Sequence, residues 1–278
     1  MIRVRQAMSV LGAQPAPGPS AIGAGLPDPA GYRVARAAPA SPSPVFPYAG
    51  SDARAGEQYR LVRTRVLARQ PRPRLIAVAS ANSGDGKTIT AINVAGVMAL
   101  RGADDVLLAG ADLRHPDLAA HLGLPREPGL AEVLTGACEL RDAIVQVEQL
   151  PRLHVLPAGR RSANATELFE CAAWARVCEE LRRLFRLVVL DTAPIGVVAD
   201  YELIQAQCDS VLMVAAVEHT RRKSLNAALA SVPAAKLLGL VLNGVDEWLL
   251  WRTPDYNYRY GEQKPAPRLS RDARGLGI

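Results

Sequence analysis

The chain has 278 residues, 49% of them hydrophobic, which is enough for one large globular domain with flanking segments. Its formal net charge of +6 permits contact with phosphates, anionic lipid or nucleic acid without selecting any of them. No nucleic acid partner is expected. The four cysteines form no Cys-x-x-Cys pair and have no metal-ligand spacing with the four histidines, so neither a zinc site nor a disulfide framework is indicated, and a reducing cytoplasm fits. No apolar run approaches the ~20 residues of a membrane span, and we expect no direct span.

The first part of the chain divides into an arm and a helix. Residues 1–48 are rich in alanine, proline, glycine and serine and show little apolar periodicity. Such a segment cannot offset the entropy of ordering, and we predict a disordered arm. Between Ser51 and Arg69 apolar residues recur at helical spacing, and two prolines follow. This pattern predicts a helix that precedes the main domain.

Six apolar runs, separated by helical patterns, make up the rest of the domain. The runs are continuous rather than alternating, which is typical of strands buried on both faces of a parallel sheet. They span residues 75–80, 106–111, 153–158, 187–191, 211–217 and 237–243, and helical patterns lie at about 87–100, 165–185, 200–207 and 220–230. We predict a doubly wound α/β domain over residues 49–250, with a mostly parallel sheet flanked by helices, and a flexible tail over residues 251–278. Ligands of such sheets bind at the carboxyl ends of the strands.

A phosphate-binding loop follows the first of these strands. Residues 81–88 read ANSGDGKT, the P-loop pattern with alanine in place of its first glycine, in the required strand-loop-helix context. The glycines let backbone N–H groups turn towards a phosphate, the lysine neutralises phosphate oxygens, and the threonine hydroxyl can ligate Mg²⁺. A tight glycine turn without a ligand is the alternative, but motif and context agree. We expect nucleotide contacts from Ser83, Gly84, Asp85, Gly86, Lys87, Thr88 and Ile89.

A second acidic position follows another buried strand. The stretch FRLVVLDTAP places Asp191 at the end of an apolar run, where a carboxylate can hold Mg²⁺ through water near the P-loop. An aspartate after a strand is often only a helix cap or a turn residue. The apolar strand and the upstream P-loop favour the metal-binding interpretation.

Several separate motifs together resemble one known family. Glu57, Arg60 and Arg63 form an E-x-x-R-x-x-R pattern, LRHP at residues 113–116 follows an apolar strand, and LHVLPAG, DTAP, LLGLVLNGVD and YNYRYG occur in order. Over about residues 51–260 the chain resembles the bacterial tyrosine kinases of capsule and exopolysaccharide loci. That resemblance implies a P-loop NTPase of the deviant Walker A, or partitioning-ATPase, type.

The resemblance also implies a site and its cofactors. ATP and Mg²⁺ would be bound, with Lys87, Asp112 and Asp191 catalytic and Thr88, Asp112 and Asp191 around the metal. Asn243, at the end of its strand, is similar to the asparagine that contacts adenine in related ATPases.

Acceptors and partners follow from the same resemblance. Tyr256, Tyr258 and Tyr260 would be phosphorylated on a neighbouring subunit in a ring, with Glu57, Arg60 and Arg63 at the subunit contact. A membrane-embedded partner controlling polysaccharide chain length and export would hold the chain at the inner face of the cell membrane. Without the resemblance, Glu57, Arg60 and Arg63 would be interpreted as an ordinary ion-pair stripe on a helix. The tyrosines would be interpreted as one face of an edge strand.

One position departs from the family pattern. The family reads roughly VLLIDADLRRP, whereas this chain reads VLLAGADLRHP, so that Gly110 replaces the first of two acids and only Asp112 remains. Positions 110 and 112 point to the same side of a strand. Losing a positioned base typically costs about 10²- to 10⁴-fold in rate, whereas phosphate binding can persist.

Three hypotheses therefore stand. An active ATP-dependent tyrosine autokinase is favoured by the P-loop, Asp191 and the tyrosines. A catalytically impaired nucleotide-binding subunit of the same export machinery is favoured by Gly110. A partitioning-type ATPase is less favoured, because those proteins usually carry a lysine early in the P-loop and this loop opens with Ser80, Ala81, Asn82 and Ser83.

Overall fold

A computed structural model describes residues 2–3, 31–40, 45, 53–101, 104–196 and 199–245. In chain order the elements are β1 (Ile2–Arg3), β2 (Arg33–Ala35), α1 (Ala53–Ala68), β3 (Leu75–Ser80), α2 (Lys87–Arg101), β4 (Val106–Gly110), α3 (Leu118–Leu122), α4 (Leu130–Leu134), α5 (Leu140–Ala143), β5 (Val145–Val147), β6 (Leu153–Leu156), α6 (Ala165–Glu170), α7 (Ala172–Leu184), β7 (Leu187–Asp191), α8 (Asp200–Gln207), β8 (Ser210–Ala216), α9 (Arg222–Ala230) and β9 (Leu237–Asn243). The three tyrosines at 256, 258 and 260 and the predicted tail lie outside the described residues.

These strands form one sheet in the order β1-β9-β8-β3-β7-β4-β6-β5-β2. All neighbouring pairs are parallel except β5 with β6. The predicted doubly wound, mostly parallel sheet is therefore confirmed. Strands β3, β7 and β4 lie side by side at its centre, so the loops after them meet at one edge of the sheet.

Both faces of the sheet are covered. Successive side chains of β3 alternate between two cores: Ile76 and Val78 pack with α1 and α2, while Leu75, Ala77 and Ala79 pack with helices on the other face. Every residue of β3 is buried, as are all those of β4 and β7. A strand buried on both faces needs no polar alternation, which explains the continuous apolar runs.

Several element boundaries differ from the sequence prediction by one or two residues, and one predicted helix is divided in two. The predicted strand at 153–158 ends at Leu156, because the carbonyls of Pro157 and Ala158 accept hydrogen bonds from the N–H groups of Leu130 and Ala131 instead. The predicted helix at 165–185 is divided at Cys171, whose backbone is extended. Neither glycine nor proline marks that break, so the sequence carried no signal for it.

Within residues 1–48, for which the sequence predicts a disordered arm, two short segments pair with the sheet as β1 and β2. Strand β2 pairs with β5, and Gln149 bonds both backbone groups of Ala37, at 3.0 Å to the nitrogen and 2.6 Å to the oxygen. Tyr32 packs edge-on against the ring of His154, with ring centroids 4.9 Å apart. These contacts join residues more than a hundred positions apart, so local composition could not reveal them. Most of the remaining arm lies outside the described residues.

No helix within the described ranges is long and apolar enough to cross a membrane.

Candidate nucleotide and metal site

The P-loop connects the end of β3 to the start of α2. Gly84 and Gly86 have φ of +83° and +92°, in the left-handed region that disfavours side chains. Backbone at such positions can present successive N–H groups to an anion, and the α2 N-terminus adds a partial positive charge. Lys87, the first residue of α2, is buried beside this loop. The structure thus retains the loop geometry that the motif predicts.

Asp85 holds the loop together from within. Its carboxylate is fully buried, accepts a hydrogen bond from the backbone of Asn82 at 2.9 Å and another from the Thr220 hydroxyl at 2.7 Å. His219, beside Thr220, places its Nε2 3.0 Å from the carbonyl oxygen of Ser83. The loop after β8 therefore braces the P-loop. No motif in the sequence marks this brace, and its position after a strand end was the available signal.

Asn243 lies against the same loop. Its side-chain amide donates to the Asp85 carbonyl at 3.2 Å, and its Oδ1 accepts from the N–H of Gly244 at 3.0 Å. A Cβ added to Gly86 would lie 2.1 Å from Asn243 Nδ2, so glycine is required there for packing as well as for conformation. The predicted adenine contact of Asn243 stays a prediction.

Asp191 is brought next to the P-loop by the pairing of β7 with β3. Burial raises the pKa of its carboxyl to about 7, although a hydrogen bond with Thr88 and the charge of Lys87 oppose that rise. Its Oδ1 is buried and has no hydrogen-bond partner among the described residues. A buried carboxylate oxygen left without a donor, beside the hydroxyl of Thr88, suits a cation.

Gly110 and Asp112 lie on the other side of Asp191. In the sheet Gly110 pairs directly with Asp191, and the backbone N–H of Ala111 donates to the Asp191 carbonyl at 2.7 Å. Asp112 is close enough for its charge to raise the pKa of Asp191, while its Oδ1 accepts from the backbone of His115 at 2.9 Å. Thus Asp112, Asp191, Lys87 and Thr88 come together at the carboxyl edge of the sheet.

The residues present fit a phosphate-bearing nucleotide with Mg²⁺. Within the described ranges no group of three or more His, Cys, Asp or Glu side chains could hold a metal ion by itself. Magnesium typically takes one or two protein carboxylates and completes its shell with phosphate oxygens and water. Thr88, Asp112 and Asp191 match that pattern.

A buried ion pair anchors the segment that carries Asp112. Arg114 donates to both oxygens of Asp200, at 2.7 and 3.2 Å, and to the Thr166 hydroxyl at 2.9 Å. Thr166 in turn donates to Asp200 at 2.5 Å. The Asp200 side chain is 2% exposed and that of Arg114 28%. The segment after β4 is therefore tied to the starts of α6 and α8, which the sequence did not indicate.

Removal of Arg114 is expected to destabilise the fold. Arg114→Ala leaves the Asp200 carboxylate buried without its cation, and breaking such a pair costs about 3 kcal/mol, at the lower end of the usual range because Arg114 is partly exposed. Urea unfolding at pH 7 measures the loss. Arg160→Ala, which removes an exposed 2.7 Å pair with Glu127, is the matched control and should change stability little. Equal effects of the two substitutions would contradict the assigned role of Arg114.

The buried carboxyl of Asp200 is also expected to make the free energy of unfolding depend on pH. Burial raises the pKa of its carboxyl, but hydrogen bonds from Arg114 and Thr166 outweigh burial and leave the folded-state pKa below its ordinary value. A carboxyl of this kind stabilises the fold above its unfolded pKa, and that contribution is lost as the pH falls through the folded pKa. The stability difference between wild type and Asp200→Asn should therefore shrink below about pH 4. Urea unfolding across that range tests this, and a constant difference would refute it.

The predicted subunit-contact residues lie on α1. Glu57 and Arg60 form an exposed ion pair with a separation of 2.5 Å. Arg63, half-buried, lines the groove between α1 and α2 together with Thr64, Val97 and Leu100. This arrangement suits either a subunit contact or an ordinary ion-pair stripe, and the subunit contact stays a prediction.

Comparison with known proteins identifies the family. No protein-family model matches the chain. The tyrosine-protein kinase CpsD of Streptococcus pneumoniae serotype 4 is 30% identical over 195 residues, covering 69% of this chain and 86% of that protein. The tyrosine-protein kinase YwqD of Bacillus subtilis is 34% identical over 195 residues, covering 68% and 80%. The chain belongs to the bacterial tyrosine kinase family.

Solved structures agree with that family. The chimerical protein CapA2B2 superposes with a TM-score of 0.69 at 25% identity, covering 78% of this chain and 96% of that one. The kinase domain of the Escherichia coli tyrosine kinase ETK shares the fold with a TM-score of 0.68, covering 79% and 85%. The septum site-determining protein MinD of Pyrococcus horikoshii shares it more distantly, at 0.51, covering 61% and 70%. The predicted deviant P-loop fold is confirmed, and among bacterial tyrosine kinases a partitioning role is not favoured.

Proposed function

We propose that this bacterial tyrosine kinase transfers the γ-phosphoryl group of ATP to tyrosines of a second copy of its own chain. The observation that carries the proposal is the convergence of Lys87, Thr88 and Asp191 on one P-loop, with a buried Asp191 oxygen left without a donor. Tyr256, Tyr258 and Tyr260 are the proposed acceptors.

Each residue of the site has a separate role in this proposal. Bound Mg·ATP would supply the γ-phosphoryl group. Its bond to the β-phosphate oxygen breaks and ADP leaves, while a bond to the tyrosine oxygen forms and the phenol loses its proton. Lys87 and the loop N–H groups hold the phosphates and offset the charge of the transition state. Thr88 and Asp191 hold the cation. Asp112 accepts the phenol proton, and Arg114 positions the segment that carries it.

Gly110 sets the expected rate of this reaction. In the family pattern a carboxylate stands at this position, directly beside Asp191 in the neighbouring strand. With Gly110 only Asp112 is left to serve as a base. We therefore propose that the chain binds nucleotide normally and transfers the phosphoryl group slowly. The kinase hypothesis and the impaired-subunit hypothesis then differ only in how slow the transfer is.

The biological setting is part of the same proposal. The relatives include a succinoglycan biosynthesis transport protein, ExoP of Rhizobium meliloti, 34% identical over 200 residues that make up 25% of its length. We propose that the chain acts in the cytoplasm, in a ring, at the inner face of the membrane. There it would regulate exopolysaccharide or capsule polymerisation and export through a membrane-embedded partner.

Incubation of the purified chain with labelled ATP and Mg²⁺, with and without the cytoplasmic part of its cognate membrane partner, tests this function. Label on the segment that contains Tyr256, Tyr258 and Tyr260 is expected, more of it with the partner. A triple Tyr→Phe variant at these positions is the control and should take up no label. Nucleotide binding with no label under either condition would contradict the kinase function and leave a binding-only subunit.

A further inference from the structure

A second pocket lies at the opposite edge of the sheet from the P-loop. It opens where β4 and β7 begin, at Val106 and Leu187, whereas Gly110 and Asp191 lie at the far ends of those strands. Five residues of strand separate the two edges by roughly 15 Å. The pocket is therefore distinct from the nucleotide site. We refer to it as the arginine pocket, after Arg63, Arg72 and Arg186 on its rim.

The arginine pocket combines an apolar wall with positive charge. Its wall is made of Pro73 and of side chains from the core beneath α1 and α2: Val66, Leu67, Met98, Val106 and Leu187. Arg63, Arg72 and Arg186 line the pocket together with the carboxylate of Asp104, and because Arg63 has interactions of its own, the positive charge offered to a ligand comes from Arg72 and Arg186. Such a surface suits a ligand with an apolar body and a doubly charged anionic end.

Two of the arginines are available to a ligand. Arg72 is exposed and Arg186 half-buried. Neither guanidinium makes an ion pair or a side-chain hydrogen bond with another described residue. Arginine forks bind phosphate oxygens in a bidentate manner, which lysine cannot do. The cavity of about 210 Å³ is smaller than the usual site for a drug-sized molecule and suits one side chain.

We propose that the arginine pocket binds phosphotyrosine, presented by the tyrosine segment of a second copy of this chain. A phosphotyrosine carries about two negative charges and three acceptor oxygens at the end of an apolar ring, which matches both halves of the pocket. The segment 256–260, with sequence YNYRY, supplies three such side chains once phosphorylated. The proposal rests on the proposed function for the origin of its ligand, and it adds a product-recognition site to the enzyme.

Binding of a synthetic peptide tests the arginine pocket without requiring kinase activity. The peptide spans residues 253–262, carries a fluorophore and a phosphate on Tyr256, and is titrated with the full chain under saturating Mg·ADP so that the P-loop is occupied. We expect it to bind at least about ten-fold more tightly than its unphosphorylated form. Arg72→Ala and Arg186→Ala should each weaken binding about ten-fold, whereas Arg183→Ala, an exposed arginine outside the pocket, should not. Thermal unfolding of each variant confirms that it is folded.

Three results would overturn the proposal. Equal binding of the phosphorylated and unphosphorylated peptides would show that the phosphate has no part in recognition. If inorganic phosphate competed as strongly as phenyl phosphate, the aromatic ring would have no part in recognition. The third result has two parts: the wild type binds phosphatidylserine vesicles but not the peptide, and Arg72→Ala and Arg186→Ala lose the vesicle binding. The pocket would then bind a membrane surface rather than phosphotyrosine. Because the peptide is synthetic, failure of the labelled-ATP assay leaves each of these results interpretable.

Discussion

Replacing Lys87 with methionine is expected to lower the rate of autophosphorylation by about 10²- to 10³-fold, the usual cost of removing one preorganised donor from a transition state. Methionine keeps the length and apolar stem of the side chain, so the buried position beside the P-loop remains filled. The substitution removes the ammonium group that we propose offsets phosphate charge. Incorporation of labelled phosphate over time measures the rate, and binding of a fluorescent ATP analogue measures affinity separately.

Lys223→Met is the matched control for that substitution. Lys223 is an exposed lysine in the first turn of α9, outside the P-loop, and its replacement should leave the rate within about two-fold of wild type, as for most surface substitutions. Any phosphorylation that persists unchanged in Lys87→Met would come from a contaminating kinase or from another site. Either origin would contradict the assignment of catalysis to this P-loop.

Restoring the missing acid is expected to speed the reaction and weaken the fold. Gly110→Asp places a carboxylate beside Asp191, and a positioned base contributes about 10²-fold or more to proton transfer. However, a Cβ at position 110 would lie 2.9 Å from the backbone nitrogen of Ala158 and 3.0 Å from its Cβ. That contact is too short, and the loop after β6 must move, at a cost of about 1 to 3 kcal/mol. Labelled-ATP kinetics and urea unfolding measure the two effects independently.

Gly110→Ala separates packing from chemistry in that experiment. The alanine brings the same Cβ against Ala158 without a carboxylate, so it should have the packing cost of Gly110→Asp without the repulsion from Asp191, and it should gain no rate. A rate gain in both variants would show that packing, not the acid, limits turnover. No gain in Gly110→Asp, with nucleotide binding intact, would point to Asp112 as a sufficient base.

Parts of the site were predictable because their chemistry is local. The P-loop needs glycines at fixed positions for left-handed backbone, followed by a lysine and a threonine at the start of a helix, and all of these are adjacent in sequence. The position of Asp191 at the carboxyl edge of the sheet was predictable because it ends a continuous apolar strand. The brace on Asp85 was not, since Thr220 lies 135 residues away and follows a strand end without any motif.

The ion pair of Arg114 is a second contact that the sequence could not predict. The sequence marks it as part of a family segment, but nothing local indicates that Asp200, 86 residues later, would be buried against it. The edge strand β2 was missed for a similar reason: its segment is rich in alanine and proline, and only its pairing with β5 makes it a strand. Contacts of high sequence separation decided each of these features.

The sequence by itself determined the class of fold and the kind of ligand, because strand burial and phosphate binding depend on runs and spacings within single segments. The tertiary structure alone decided how those segments meet. Parallel pairing of β3, β7 and β4 places Lys87, Asp191 and Asp112 together and sets Gly110 against both Asp191 and Ala158. The same sheet, at its other edge, brings Arg186 at the start of β7 into one pocket with Arg63 of α1 and Arg72 of the segment that follows α1, residues far earlier in the chain.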